Sequence, residues 1–258
     1  PETYSGFLDA CGRLKDAGYD NPVLAYNEPS RLLFAMVYPY FCASVKGDED
    51  TIQKLNELNP ESADALRPVL ELTEDFMGYG YLDPTASDEL EDAYEPMILR
   101  FFEGDIPMMF VDGDTVSGTA KRESLSEAFT RHPFTYSFHP IPSTEEGGYF
   151  LNTVSLEFAV NKSCDNLEMT NEFMRFLIRT EELSRMAQMK RLVTPATDMS
   201  LDGIYAAFGR VKPEHVVYGR DIGLLDGPIV QMRIAAYKVA TGEMSVDEAV
   251  AAFGTLSN

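Results

Sequence analysis

Two acidic side chains stand in loops where chemistry could take place. Glu28 lies in Asn27-Glu28-Pro29-Ser30, just after the apolar run Val23-Leu24-Ala25-Tyr26, and Asp112 opens Asp112-Gly113-Asp114-Thr115, just after the run Ile106 to Val111. Glycoside hydrolysis uses a pair of carboxyl groups across a cleft, so Glu28 with Asp112 is the candidate dyad of a hydrolase reading. The same groups, together with loop carbonyls and the free N–H groups that begin a following helix, also suit a hydroxyl-rich ligand that is gripped and released unchanged. Other chemistry lacks a pattern. His132, His139 and His215 form neither H-E-x-x-H nor an i, i+4 pair, and read as surface or packing side chains. No G-x-S-x-G, Walker loop or G-x-G-x-x-G occurs, and Gly78-Tyr79-Gly80 stands alone. Cys11, Cys42 and Cys164 are an odd, widely spaced set and read as buried small apolar residues. Asp112, Asp114 and Glu123 match positions one, three and twelve of an EF-hand loop, but Val116 and Ser117 stand where a ligand and a glycine are required. The sequence thus predicts no catalytic centre, no metal site and no cofactor.

The elements that must position Glu28 and Asp112 alternate between strand and helix. Thr3 can cap a helix carrying Phe7, Leu8, Cys11 and Leu14 on one face, with Gly18 to stop it. A strand over Val23 to Tyr26 then meets Pro29, which suits the first turn of the next helix. Helical segments follow from Ser30 to Phe41, around Ile52 to Leu58 and from Ala63 to Met77, with Pro68 and Pro96 blurring the boundaries in this part of the chain. Met97, Ile98, Phe101 and Phe102 sit at helical spacing before the strand Ile106 to Val111. Further strands are expected over Tyr136 to Ile141 and along the alternating Val154, Leu156, Phe158 and Val160. Helices are expected over Asn166 to Ile178, Thr180 to Lys190 and after Asp226-Gly227-Pro228, with Ser245 and Glu248 as a capping box. This alternation predicts an α/β protein whose ligand lies at the carboxyl ends of the strands.

Composition narrows the partners. The chain of 258 residues carries 42 acidic and 21 basic side chains, a formal charge of −21, which repels phosphate backbones and makes nucleic acid an unsuitable partner. With 45% hydrophobic and 24% charged residues it falls within the range of folded globular proteins. No stretch of about 18 apolar residues could span a bilayer, and the first residues lack the basic and apolar regions of an export signal. Thirteen Tyr and 16 Phe, with no Trp, supply the flat apolar surface. Most must be core, while Tyr26, Tyr79, Tyr81 and Tyr149, beside glycine or polar loops, could face a ligand.

The order of several short motifs resembles the extracellular solute-binding proteins of ABC importers, specifically the sugar-binding family that includes maltodextrin-binding protein. Pro1-Glu2-Thr3-Tyr4-Ser5-Gly6-Phe7 with Lys15-Asp16-Ala17-Gly18-Tyr19 is similar to the family's P-x-T-W-x-E and L-K-x-A-G helix. Phe101-Phe102-Glu103-Gly104-Asp105-Ile106-Pro107-Met108-Met109 resembles its F-x-x-G-x-x-A-M signature, with Asp112-Gly113 as the turn that ends it. Tyr149 to Ser163 resembles the strand that returns to the first lobe, and Asn171 to Leu177 resembles the A-x-x-F-x-x-F-L helix. Leu192-Val193-Thr194-Pro195-Ala196 and the segment Ala240 to Ala249 complete a collinear series over nearly the whole chain.

That resemblance implies a type II periplasmic-binding-protein-like α/β fold, mainly the C-terminal lobe with a partial N-terminal lobe. By position it implies that residues 1–147 and 199–258 form the second lobe and that 148–198 are a remnant of the first. It further implies a non-enzymatic, extracytoplasmic protein, periplasmic or a cell-surface lipoprotein, that captures a sugar or oligosaccharide between its lobes and hands it to ABC permease subunits. Asn27, Glu28, Pro29 and Ser30 correspond to one ligand-contacting loop, and Asp112, Gly113, Asp114 and Thr115 to a second, with Thr115 near the position of an aromatic platform. Tyr149 and Asp226 complete the implied contact set. Family members begin with a further first-lobe sheet, so the chain is expected to be a truncated form that binds sugars weakly or not at all, with the apolar faces of Phe173, Phe176 and Leu177 short of partners. A peptide, polyamine or other small polar cargo remains an alternative on the same fold.

Overall fold

The computed structural model describes residues 1–25, 31–90, 92–153, 158–191 and 203–257. Helix α1 (Tyr4–Asp16) starts where Thr3 accepts a hydrogen bond from the Gly6 amide at 3.2 Å, and buries Phe7 and Cys11. Gly18, at φ +106°, supplies the left-handed residue that ends it. The chain turns into strand β1 (Val23–Leu24), and helix α2 (Arg31–Val45) follows. Leu33, Phe34, Met36, Val37, Phe41 and Cys42 of α2 are all buried, the pattern of a helix enclosed on most of its faces. Helix α3 (Glu49–Asn56) is capped by Asp48, and a 3-10 turn, Pro60–Leu66, leads into helix α4 (Arg67–Gly78). Pro68 lies in the first turn of α4, where its missing N–H costs no helical hydrogen bond, so it starts the helix rather than breaking it.

Helix α5 (Tyr94–Phe102) leads to strand β2 (Met108–Met109), which runs parallel to β1 with Val23 opposite Met108 and Leu24 opposite Met109. Three short helices follow, α6 (Gly113–Ser117), α7 (Thr119–Leu125) and α8 (Glu127–Arg131). Strands β3 (Pro142–Thr144) and β4 (Gly147–Gly148) make an antiparallel hairpin, and strand β5 (Phe150–Asn152) continues from it. Gly148 is required at this point, since a Cβ there would stand 2.8 Å from the Ile141 carbonyl oxygen. Glu145 at the hairpin tip accepts hydrogen bonds from the Ser5 amide and hydroxyl, both at 2.7 Å, which ties the hairpin to the start of α1. After helices α9 (Leu167–Leu177) and α10 (Thr180–Lys190), strand β6 (Val216–Tyr218) pairs in parallel with β5. Helix α11 (Asp226–Ala240) and helix α12 (Val246–Ala251), with the Ser245–Glu248 capping box formed in both directions, close the chain.

The main core lies where α2, α4, α11 and α12 pack together, with β1 against them. Phe41, Phe76, Phe253, Leu55 and Leu70 are fully buried there, and each contributes about 2–3 kcal/mol of transfer free energy. A second, smaller cluster joins Val116, Phe138 and Tyr205. Helix α9 buries none of its side chains: Phe173 is 56% exposed and rests on Phe176, whereas Leu177 is half-buried.

Several expected strands are shorter than the sequence suggests. The segment Ile106 to Val111 pairs only at Met108–Met109. Residues 133–141 form no ladder; Pro133 and Pro140 lack donors, and the Phe138 amide donates to the Ile204 carbonyl at 2.9 Å. Of the alternating segment 154–160, residues 154–157 lie outside the described residues and 158–160 are not in a strand. Cys11 and Cys42 are buried as expected, but Cys164 is half-exposed, its sulfur 3.0 Å from the Thr170 hydroxyl.

Candidate ligand-binding cleft

The parallel pairing of β1 with β2 places the carboxyl ends of both strands side by side, and the Phe110 amide donates to the Leu24 carbonyl at 2.9 Å. From there the chain passes through Val111 to Asp112, the N-cap of α6. One carboxylate oxygen of Asp112 accepts hydrogen bonds from the Thr115 amide and hydroxyl, each at 2.9 Å. This draws Thr115 inward to 1% exposure, while Asp112 and Gly113 remain on the wall of a cleft of about 1090 Å³. That volume lies at the upper end of what small-molecule sites enclose.

The cleft is largely aromatic. In the run after α8, Phe134, Tyr136 and Phe138 fall at every second residue and their rings contact one another in turn along the lining. Tyr136 stands edge to face with Phe101 at 5.5 Å and with Phe138 at 5.9 Å, and Phe138 stacks on Tyr205 at 5.2 Å. A second group includes Tyr149, which stacks on the buried His215 at 4.2 Å and meets Tyr40 at 5.1 Å. Ser137, His139 and Asn152 add polar groups to the lining. Burial holds His139 below the usual imidazole value, and Arg210 acts in the same direction.

One polar network braces the aromatic run. Arg191 donates to both carboxylate oxygens of Glu123 at 2.9 Å, to the Thr119 hydroxyl at 3.0 Å and to the Tyr136 hydroxyl. Tyr136 in turn donates to Glu123 at 2.7 Å. Desolvation first and the Glu123 hydrogen bond second push the Tyr136 hydroxyl up to about 12. Burial works against the Arg191 charge, yet the hydrogen bond to Glu123 and its negative charge hold the guanidinium above its ordinary value.

The expected contact residues are only partly brought together. Asp112, Gly113 and Tyr149 line the cleft; Thr115 is buried behind Asp112, and Asp226, in the first turn of α11, is not in the lining, although its charge acts on Tyr38, which is. Asp114 belongs to α6, but its side chain lies outside the described residues, as do Asn27, Glu28, Pro29 and Ser30. The Glu28–Asp112 dyad therefore also falls outside them. Tyr79 and Tyr81 stack on each other at 5.6 Å beside α1, apart from the cleft, and Tyr26 is not described. Among the described residues no group of three or more His, Cys, Asp or Glu could hold a metal ion. Likewise, no helix of the described residues is long and apolar enough to cross a membrane.

Sequence reasoning missed Glu123, Tyr136, Arg191 and Tyr205. The available signal was the alternation of Phe134-Thr135-Tyr136-Ser137-Phe138, which also reads as an ordinary strand. Arg191 carries no local signal at all.

No protein-family profile matches the chain, and no curated protein does. Solved structures do match over 97% of it. They include a candidate binding protein, MsmE, from Bacillus subtilis in an open conformation, with TM-score 0.65 and 15% identity over 62% of its own length. A sugar transporter from Bacillus licheniformis in complex with stachyose matches with TM-score 0.62 and 11% identity over 64% of its length. A chitin oligosaccharide binding protein matches with TM-score 0.60 and 14% identity over 62% of its length. The chain thus has the α/β fold of a type II periplasmic binding protein in part, and spans less than two thirds of the length of these chains. All three are described as binding or transport proteins.

Proposed function

We propose that this chain is the sugar- or oligosaccharide-binding component of an ABC transporter, working outside the cytoplasmic membrane and delivering its ligand to permease subunits. The observation that carries the reading is the aromatic cleft on a fold shared with solved sugar-binding proteins. Sugar rings have apolar C–H faces and a rim of hydroxyls. Flat rings such as Phe134, Tyr136 and Tyr149 offer stacking surface, and Asp112, Ser137 and Asn152 offer hydrogen-bonding groups beside them. A cleft of about 1090 Å³ favours several linked sugar rings over one. The protein is proposed to release its ligand unaltered, with no catalytic residue, and to sit in the periplasm or on the cell surface through a lipid anchor.

Calorimetry tests this with stachyose, chitin oligosaccharides and a free hexose, alongside a short peptide and a polyamine. Because the chain spans only part of its structural neighbours, the expected affinity for an oligosaccharide is modest, with Kd on the order of 1 mM, or about −4 kcal/mol. Binding of the peptide or polyamine in preference to every saccharide would overturn the carbohydrate reading. Turnover of chromogenic glycosides, abolished by Asp112→Asn, would overturn the non-enzymatic one.

A further inference from the structure

Arg191 occupies an uncommon backbone position: it caps α10 in the left-handed region, at φ 52° and ψ 38°, where glycine is the usual residue. A long, branched-headed side chain kept at such a site invites the question of what the head group does. Its fork engages the Glu123 carboxylate with two parallel hydrogen bonds and reaches Thr119 and the Tyr136 hydroxyl with the same nitrogen. Its carbonyl oxygen accepts the Tyr205 hydroxyl. Tyr136 and Tyr205 are the two tyrosines that contact Phe138, one edge-on and one stacked. Both hydroxyl groups are therefore directed at one residue, and the rings between them stand on the cleft wall.

We propose that Arg191 is the positioning residue of the cleft: paired with Glu123, it fixes Tyr136 and Tyr205 and so sets the aromatic surface presented to a saccharide. The inference rests on the carbohydrate-binding reading for its ligand, although the bracing itself is independent of which ligand binds. Arg191 also lines the cleft, so a double-mutant cycle with Tyr136 is what separates action through that ring from direct contact with a ligand. Lysine keeps the charge but ends in a single nitrogen, so the parallel pair of hydrogen bonds to the two Glu123 oxygens is lost.

The test is a double-mutant cycle of Arg191→Lys and Tyr136→Phe, read by calorimetry against stachyose and chitin oligosaccharides at a temperature where every variant is folded. Arg191→Lys is expected to weaken binding about tenfold in the wild-type background and less than about twofold when residue 136 is Phe. Losses that add, or an Arg191→Lys protein that binds as the wild type does, would overturn the proposal. Phe253→Leu, a core change away from the cleft, serves as the control for lost stability alone and should leave affinity unchanged. The second readout needs no ligand: nitration of Tyr136 by tetranitromethane, followed by peptide mass spectrometry. The rate at Tyr136 is expected to rise severalfold in Arg191→Lys and to stay at the wild-type level in Phe253→Leu. An unchanged rate in Arg191→Lys would overturn the bracing even if no saccharide bound the wild-type protein, an outcome that would separately refute the carbohydrate reading.

Discussion

Replacing Phe76 by alanine should cost about 4 kcal/mol of stability. Phe76 is fully buried on α4, stacks on Phe7 at 5.6 Å and meets Phe110 at 5.8 Å. Phe7 and Phe110 both reach the cleft on their other side, so Phe76 is the layer beneath its floor. Two contributions enter the magnitude. Removal of a buried phenyl and the cavity it leaves cost about 3–5 kcal/mol, and the lost ring pairs, worth about 0.5–1.5 kcal/mol each in isolation, place the site in the middle of that range rather than at its foot. Against a total of about 5–15 kcal/mol, such a loss removes a large share of the stability. For a chain of this size it lowers Tm by roughly 8–16 °C. Urea denaturation followed by far-ultraviolet circular dichroism measures it, with an unchanged m value as the sign that the same surface unfolds. Phe76→Leu should lose far less, since most of the volume is kept. A loss below about 1 kcal/mol for the alanine variant would mean that the floor is not supported from α4, and the account of the core would be wrong.

Ser245→Ala removes one half of a reciprocal capping box and should cost about 1 kcal/mol, seen as a lower urea midpoint. Alkaline pH should destabilise the protein in a defined window. Tyr136 and Tyr237 are both pushed up to about 12, chiefly by desolvation and then by hydrogen bonds to Glu123 and Asp88, so the unfolded chain loses these protons first. Their contribution is therefore complete below about pH 10 and is lost towards pH 12, which denaturation curves at pH 9 and 11 would reveal; a flat profile would contradict the placement of both hydroxyls. Phe173→Ser should change stability by less than about 0.5 kcal/mol, since that ring is largely in solvent, while lowering the fluorescence of a bound hydrophobic dye.

Helix ends and helix faces were legible in the sequence because their causes are local. Thr3 and the Ser245–Glu248 pair cap the helices they were expected to cap, and Gly18 ends the first one. Strand lengths were not legible, because pairing partners lie far away in the chain: the apolar run from Ile106 finds only a two-residue partner in β1. At the cleft, Asp112 could be placed because a carboxylate after a strand and before a helix is a local signal. Thr115 could not, since its hydroxyl turns inward to the very carboxylate that caps its helix. Arg191 was invisible for another reason: its partners Thr119, Glu123, Tyr136 and Tyr205 meet it only in three dimensions.

The parallel pairs carry a kinetic consequence. Val23 meets Met108, and Phe150 meets Val216, so both junctions beside the cleft close long loops and pay chain entropy before any ladder bond rewards them. Helix pairs that are neighbours in sequence, such as α9 with α10 and α11 with α12, have no such toll and assemble early. A nascent chain would therefore become helical well before it acquired the cleft, which would be the last part of the fold to form.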